Sequence, residues 1–493
     1  MRISKGRSSA PAVRPLIVGV SPGASAPVNP SSYAFVYNIR LLRSQRSAND
    51  RVPAYHWERP FLEDRKKMRN QGNSMRRTIR FLFCLLAGLA LLPPAAALAA
   101  AKNRRPAAKP RRSRAHGVQT QTGLDVFAAE KFAPLRGKRV GLITNHTGVD
   151  AQGRTAIELL KKAPGVRLVA LFSPEHGIAG HADEKVNSTK DPASGLPIYS
   201  LYGESRRPDD EMLEGLDALV FDIQDAGVRF YTYTTTMAYC MEAAARRGIA
   251  FYVLDRPNPL GGEVVEGPLL DKDKTSFVGY FPLPVRYGLT IGELAQLFNE
   301  ENKIHCDLHV IAMRNWRRAE YFDNTGIRWI PPSPALRTLK GAVLYPGLEI
   351  LQNAGVSVGR GTEAPFEEFG APWMDGERVA DALNARDLPG LNFKPMQFVP
   401  AEGPFTGRRC SGVSVRVSNR SAARPLRMGI EIATALRNLY PEQFDPAKLL
   451  LLLGNESTVK LLEDGAKPEE IVRGWADDLA AFETMRRKYF LYK

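Results

Sequence analysis

A carboxyl group and an imidazole stand side by side just after an apolar run in this chain. Residues 167–172 are mostly apolar, and Ser173-Pro174 then leads into Glu175, His176 and a glycine. A carboxyl group partly removed from water has a raised pKa, so it can serve as a general acid near neutral pH. Glu175 is therefore the leading catalytic candidate, and His176 is placed to tune or orient it. A structural bond from an arginine or from backbone amides would explain such a carboxyl equally well.

Polar residues also follow three other short apolar runs, at 138–143, 218–221 and 250–254. The candidates at these three ends are Asn145, Asp222, Asp225, Asp255, Arg256 and Asn258. The carboxyl ends of parallel strands share one edge of an open α/β sheet, and ligands bind in the crevice there. The pattern predicts an enzyme site at that edge. Asp222 or Asp225 could be a partner carboxylate for Glu175, or could cap the next helix.

Three further residues are candidates for substrate contact. Arg229 lies beside Phe230 and Tyr231, which suits an anionic substrate with an apolar face, although a structural salt bridge at the edge of the core fits as well. Arg360 and Glu363 belong to the glycine-containing segment 359–363, which could approach the site from the second half of the chain.

A metal site is the weaker alternative. His176, His181 and Asp183 resemble a ligand cluster and would support a metal-dependent amidase or esterase, but their spacing matches no helix-borne zinc motif. No G-x-G-x-x-G, Walker A or G-x-S-x-G pattern is present, so NAD, ATP and serine-hydrolase chemistry are disfavoured. No cofactor is expected. The body has only Cys240, Cys306 and Cys410, which we interpret as buried free thiols rather than as a disulfide framework.

The elements that must position these residues alternate between strand and helix. The predicted elements of the first half are strands at 138–144, 167–172, 218–223, 250–254 and 307–313, and helices at 155–163, 208–214, about 233–247 and 291–302. This alternation predicts a parallel sheet with right-handed crossovers. Thr290 and Glu293 form a capping box for the last of these helices.

A second pattern begins near residue 376, after a stretch at 315–375 with little periodicity. It comprises a helix at 376–385, strands near 393–399 and 411–417, a helix at 424–438 and helical pieces at 446–463 and 467–487. The chain is therefore predicted to be an α/β protein. A Rossmann-like catalytic domain at 120–310 precedes a smaller C-terminal α/β domain at 311–493.

The net charge of +16 comes from the N-terminal part. Residues 1–116 hold 23 Lys and Arg against 4 Asp and Glu, a net of +19, which leaves −3 for the remainder. Nucleic acid is therefore not an expected partner, because the body has no excess of basic residues.

Residues 75–100 are typical of a secretory signal, with a basic start at Met75, a short apolar run and an Ala-Leu-Ala pattern. We interpret 1–74 as a mis-called or disordered extension and 101–119 as a disordered tether. The expected location is periplasmic or secreted, with no stable membrane insertion after cleavage; an uncleaved internal anchor is the alternative.

Five motifs in order resemble the NamZ-type exo-β-N-acetylmuramidases, a family long catalogued as a domain of unknown function. They lie at 173–177, 219–233, 254–259, 265–268 and 359–362, and the likeness covers about 120–493. The resemblance implies a Rossmann-like domain and a smaller α/β domain with the active site in the cleft between them. It also implies release of N-acetylmuramic acid from the non-reducing ends of peptidoglycan fragments, with Glu175 as the catalytic glutamate.

The mechanism implied by this resemblance leaves the second catalytic group open. Glu175 would protonate the leaving oxygen as an oxocarbenium-like transition state develops. Asp222, Asp225 or Glu363 could act as base or nucleophile, or the 2-acetamido group of the substrate could attack. Arg229 or Arg256 could pair with the lactyl carboxylate. A non-catalytic periplasmic module that binds muropeptides is the rival hypothesis, and it would tolerate the loss of Glu175.

Three positions depart from the family pattern. Ala179 stands where a basic residue is expected, and Ala335 follows Pro-Ser-Pro in place of asparagine. A glutamate expected before the Gly-Arg-Gly loop is absent, with Gln352-Asn353 in that region. These changes bear on substrate specificity rather than on the fold.

Overall fold

The computed structural model describes residues 119–181 and 187–493. The predicted extension, signal sequence and tether lie outside the described residues apart from Gln119, and so does Asp183. Within the described ranges, no helix is both long and apolar enough to cross a bilayer.

Twelve strands and eleven α-helices make up the described part. The strands are β1 (Arg139–Thr144), β2 (Arg167–Ser173), β3 (Thr189–Lys190), β4 (Pro197–Ser200), β5 (Ala218–Asp222), β6 (Ala250–Leu254), β7 (Glu266–Leu269), β8 (Pro284–Arg286), β9 (Leu308–Ile311), β10 (Glu368–Ala371), β11 (Leu391–Phe398) and β12 (Cys410–Val417). The helices are α1 (Gly123–Ala129), α2 (Ala156–Lys161), α3 (Tyr233–Arg247), α4 (Ile291–Glu301), α5 (Leu339–Leu348), α6 (Gly376–Asn384), α7 (Pro425–Leu439), α8 (Leu450–Leu453), α9 (Glu456–Asp464), α10 (Pro468–Arg473) and α11 (Ala476–Arg486).

The central sheet has seven strands in the order β3-β4-β2-β1-β5-β6-β9. All are parallel except β3, which pairs antiparallel with β4. If only the parallel strands are counted, their order is 3-2-1-4-5-6, which is that of the Rossmann fold. The point where the strand order reverses lies between β1 and β5, so residues that follow these two strands border the crevice.

Alternate residues of these strands point into two separate cores. Leu142 of β1 packs in a smaller core with Leu124 and Phe127 of α1. Its neighbour Ile143 packs in a larger core that also holds Met237 of α3 and many residues of the C-terminal part. The sheet is therefore covered on both faces, as expected of a parallel sheet with apolar strands.

A three-stranded antiparallel sheet, in the order β10-β12-β11, forms the centre of the C-terminal part. Helix α6 packs on β11 and β12, and α7 packs on α5 and α6. The predicted α/β class, with a Rossmann-like sheet followed by a smaller α/β unit, is confirmed.

Local sequence patterns located several elements well. Strand β6 and helix α3 have the predicted bounds, and α3 ends at Gly248 in the left-handed conformation that glycine favours. The capping box of Thr290 and Glu293 is present at the start of α4. The three cysteines of the body are buried free thiols, as interpreted.

One predicted helix is wrong, and several elements were not predicted. Residues 208–214 form turns, because Pro208 and Gly215 (φ +71°) confine a stretch too short to be a stable helix on its own. Helix α5, strands β4 and β10 and the β7–β8 hairpin arise in segments without a clear period. Their formation depends on packing against the rest of the fold.

Candidate active site

Glu175 lies two residues after β2, at the carboxyl edge of the central sheet, and its side chain is half-buried. The hydroxyl of Thr232 donates a short hydrogen bond to Glu175 Oε2. Thr232 directly precedes the first residue of α3, so the helix fixes its position. One carboxyl oxygen of Glu175 is therefore held in place from the opposite side of the crevice.

The backbone turns sharply after Glu175. His176 adopts φ +69° and Gly177 φ +73°, so two successive residues are left-handed. This conformation costs a non-glycine residue about 1–2 kcal/mol and is found preferentially at functional sites. The half-buried His176 is thus a strained neighbour of the candidate acid.

Tyr233 joins three segments around Glu175. The Asn145 side-chain amide donates to the Tyr233 hydroxyl at 3.1 Å, and that hydroxyl donates to the Pro332 carbonyl at 2.8 Å. The hydroxyl also lies 3.3 Å from the Glu175 carbonyl oxygen. Burial raises the pKa of Tyr233, so the group remains a donor. Asn145, which is itself buried, therefore supports the site rather than facing solvent.

His146 packs behind the Glu175 loop. Its Nε2 lies 2.7 Å from the Pro331 carbonyl oxygen, which can only accept, so Nε2 carries the proton. Burial lowers the pKa of His146, and Nδ1 is buried with no partner among the described residues. The described ranges contain no group of three His, Cys, Asp or Glu residues able to hold a metal ion.

Asp222 and Arg256 form a buried ion pair at the end of β5. Arg256 Nε and Nη2 donate to the two Asp222 carboxylate oxygens at 2.6 Å and 2.9 Å. Asp222 is fully buried, and Arg256 is 4% exposed. Burial raises the pKa of Asp222, and the guanidinium opposes that rise. Both groups are engaged with each other rather than with the crevice around Glu175.

Asp225 is also buried. Its Oδ2 accepts from the Gly227 amide at 2.6 Å and, at shorter range, from the Tyr287 hydroxyl, while Oδ1 has no partner among the described residues. Burial raises the pKa of Asp225 to about 6. This carboxyl is a structural acceptor with one unused oxygen.

Three more predicted site residues bond to the protein itself. The buried Arg229 guanidinium donates to four backbone carbonyls, at Pro268 (3.1 Å), Leu283 (2.7 Å), Leu452 (2.8 Å) and Leu453 (2.7 Å). Asp255 accepts from Thr290, Gly292, Tyr492 and its neighbour's amide, and burial raises its pKa to about 7. Asn258 bonds the Leu289 carbonyl and the Leu260 amide. In this structure all three side chains join distant segments.

Arg360 and Glu363 remain accessible. The side chain of Arg360 is 24% exposed, and Glu363 is exposed. Arg360 Nη2 donates to Glu349 at 2.6 Å, and Nε donates to Gln352 at 2.6 Å. Glu349 thus places a carboxylate against Arg360, three residues before Gln352.

A series of aromatic rings lies between Arg360 and Glu175. The rings of Tyr231 and Tyr233 are 4.9 Å apart, those of Tyr231 and Tyr345 6.1 Å, and those of Tyr345 and Phe366 4.8 Å. The Arg360 guanidinium lies 5.1 Å from the Phe366 ring. Tyr231 and Thr232 lie in the motif at 219–233, whereas no local signal marks Glu349.

A cavity of about 310 Å³ opens elsewhere at the sheet edge. Its lining includes Asp125 of α1 together with Thr147, Gln224 and Arg256, but not Glu175. None of the aromatic residues around Glu175 lines this cavity. We take the surroundings of Glu175 as the candidate active site, because Thr232 holds the carboxyl there and the adjacent Tyr233 hydroxyl bonds Pro332 of the C-terminal part.

The chain matches known proteins over nearly all of its described length. Residues 140–340 match the family model "Exo-beta-N-acetylmuramidase NamZ, N-terminal", and residues 343–492 match the corresponding C-terminal model. A Bacillus subtilis (strain 168) protein, peptidoglycan beta-N-acetylmuramidase NamZ, is 40% identical over 423 residues, which is 85% of this chain and 100% of that protein.

Two crystal structures of DUF1343 family proteins from Bacteroides fragilis NCTC 9343 are also similar. One is 39% identical with a TM-score of 0.72 and covers 76% of this chain and 100% of its own. The other is 32% identical with a TM-score of 0.63 and covers 76% of this chain and 99% of its own.

Proposed function

Because the chain belongs to the NamZ family of exo-beta-N-acetylmuramidases, we propose that it releases N-acetylmuramic acid from the non-reducing ends of peptidoglycan fragments. The enzyme is a glycosidase, and the bond cleaved is the β-1,4 link from muramic acid to the next aminosugar. The observation that carries the proposal is the half-buried Glu175, held at the sheet edge by Thr232.

Glu175 acts as the general acid in this proposal. Thr232 occupies Oε2, which directs the remaining oxygen, Oε1, towards the glycosidic oxygen. Proton transfer from a positioned acid contributes typically about 10²- to 10⁴-fold to the rate. The left-handed turn at His176 and Gly177 directly follows Glu175 and supports a fixed position for its carboxyl.

We propose that the second group is the 2-acetamido group of the substrate, with the exposed Glu363 as the alternative base or nucleophile. Asp222 is fully buried in its ion pair, and the unused Oδ1 of Asp225 is inaccessible, so neither carboxylate offers an oxygen to the sugar. Attack by the acetamido oxygen needs no such carboxylate and yields a retained anomer. A substrate with a free 2-amine in place of the acetamide should then resist cleavage, and proton NMR should show the β-anomer of the released sugar first.

The experiment that tests the activity uses a chromogenic β-N-acetylmuramide, with and without EDTA. We expect turnover that survives EDTA and falls about 10²- to 10⁴-fold in Glu175→Gln. Glu442→Gln, a change at an exposed carboxyl on the C-terminal part, is the matched control and should behave as wild type. Full activity in Glu175→Gln would contradict the assignment. Loss with EDTA would favour metal chemistry, and tight binding without turnover would favour a binding module.

The signal-like segment at 75–100 supports a periplasmic or secreted enzyme that acts in cell-wall recycling. Its partner is the peptidoglycan-derived saccharide, and neither nucleic acid nor stable membrane insertion is part of the proposal. N-terminal sequencing of the native protein should begin close to residue 101.

A further inference from the structure

We propose that Arg360 binds the lactyl carboxylate of the muramic acid, and that Glu349 and Gln352 are positioning residues that aim it. This inference rests on the proposed function, and it concerns how the same site recognises its anionic sugar. Arg360 takes the role that the sequence suggested for Arg229 or Arg256. The guanidiniums of those two residues are engaged in buried bonds to the protein itself.

The backbone on both sides of Arg360 has a fixed conformation. Arg360 lies between Gly359 and Gly361, which are both at φ +75°. A Cβ atom on Gly359 would lie 2.7 Å from Glu368 Cγ, and one on Gly361 would lie 2.5 Å from the Glu402 amide nitrogen. Other residues would clash at both positions, so the loop is a close-packed support rather than a loose segment.

Two side chains then fix the guanidinium. Glu349 and Gln352 are three residues apart in the 3₁₀ helix Glu349–Ala354, where side chains at i and i+3 eclipse. Glu349 Oε1 accepts from Nη2 and Gln352 Oε1 accepts from Nε, each at 2.6 Å. With both bonds made, the Arg360 side chain is 24% exposed. A planar, forked donor held in this way suits a carboxylate.

The Arg360 side chain lies on the same side of the fold as Glu175. The ring contacts of Tyr233, Tyr231, Tyr345 and Phe366 run without a gap from Glu175 to Arg360. Burial raises the pKa of Glu349, Arg360 opposes the rise, and the nearby Glu175 charge adds to it. Because the Glu175 charge acts on both Tyr345 and Glu349, and Glu349 bonds Arg360, a sugar bound at Glu175 would have substituents near Arg360.

The test compares a chromogenic β-N-acetylmuramide with its lactyl methyl ester, which lacks the negative charge. Wild type should prefer the acid by about 10- to 100-fold in kcat/KM, mostly through KM, since a bond to a charged group is worth that much. Arg360→Gln should bring the ratio close to one, and Arg360→Lys, which keeps the charge but loses the fork, should leave an intermediate ratio.

Moving the carboxylate from position 349 to position 352 tests whether it positions the Arg360 guanidinium. Glu349→Gln should reduce the acid-to-ester ratio, and the double change Glu349→Gln/Gln352→Glu should restore it, because both positions face the same guanidinium. Arg337→Gln is the matched control. Arg337 is exposed, donates to the Thr362 carbonyl of the same loop at 3.1 Å, and should not affect the ratio when it is replaced.

The outcomes distinguish a failure of the proposed function from a failure of the role assigned to Arg360. If wild type does not cleave the muramide, the proposed function fails. If wild type cleaves it and folded Arg360→Gln keeps the full ratio, or if Arg337→Gln abolishes the ratio, the assignment of Arg360 is overturned. A folded double variant that fails to recover, after a loss in Glu349→Gln, overturns the positioning role.

Discussion

The buried pair of Asp222 and Arg256 allows a structural role to be separated from a catalytic one. The sequence makes Asp222 a catalytic candidate, whereas the structure places both its oxygens on Arg256 at 2.6 Å and 2.9 Å. Asp222→Asn keeps the volume of the side chain but leaves a guanidinium that is 4% exposed without its counter-charge. Removal of one partner from a buried pair typically costs about 3–5 kcal/mol.

The free energy of unfolding from urea titration measures this cost. We expect Asp222→Asn to lose about 3–5 kcal/mol, with a fall in Tm on the order of 5–15 °C. Replacement of both members, Asp222→Asn with Arg256→Met, should cost less than the sum of the single changes, with a coupling of about 2 kcal/mol or more, because no charge is then left unpaired.

Turnover distinguishes the two roles when it is measured well below the Tm of the variant. Folded Asp222→Asn should retain kcat on the muramide within about tenfold of wild type, because general acid–base or nucleophilic roles cost far more when removed. A variant with stability within about 1 kcal/mol of wild type and a thousandfold loss of kcat would refute this reasoning and make Asp222 a catalytic group.

Two further changes test other buried groups. The pKa of Asp225 is raised from its ordinary value to about 6, so its contribution to stability is full below pH ~4 and is lost as the pH rises through about 6. The stability of wild type relative to Asp225→Asn should therefore fall by about 3 kcal/mol between pH 4 and pH 7.5, and a difference that does not change with pH would contradict the shift. Arg229→Met should destabilise the protein by about 4 kcal/mol or more in urea unfolding, since four buried carbonyls lose their donors, and a loss below about 1 kcal/mol would show that water replaces the guanidinium.

The sequence by itself determined where the site is built. Short apolar runs that end in polar residues located the carboxyl ends of β1, β2, β5 and β6, and terminal signals located α3 and α4. These features depend on backbone periodicity and capping, which act over a few residues. The α/β class and the place of Glu175 at the sheet edge were therefore predictable.

Only the tertiary structure decided which of the polar residues face a ligand. Asp222 meets Arg256 across 34 positions, Glu175 meets Thr232 across 57, and Arg229 meets Leu453 across 224. A charged side chain that is removed from water must be paired. Its partner comes from a distant segment of the chain, so no local sequence pattern identifies it. For this reason Arg229 and Arg256 are buried in structural bonds, whereas the partly exposed Arg360 is bonded by Glu349, which no motif marked.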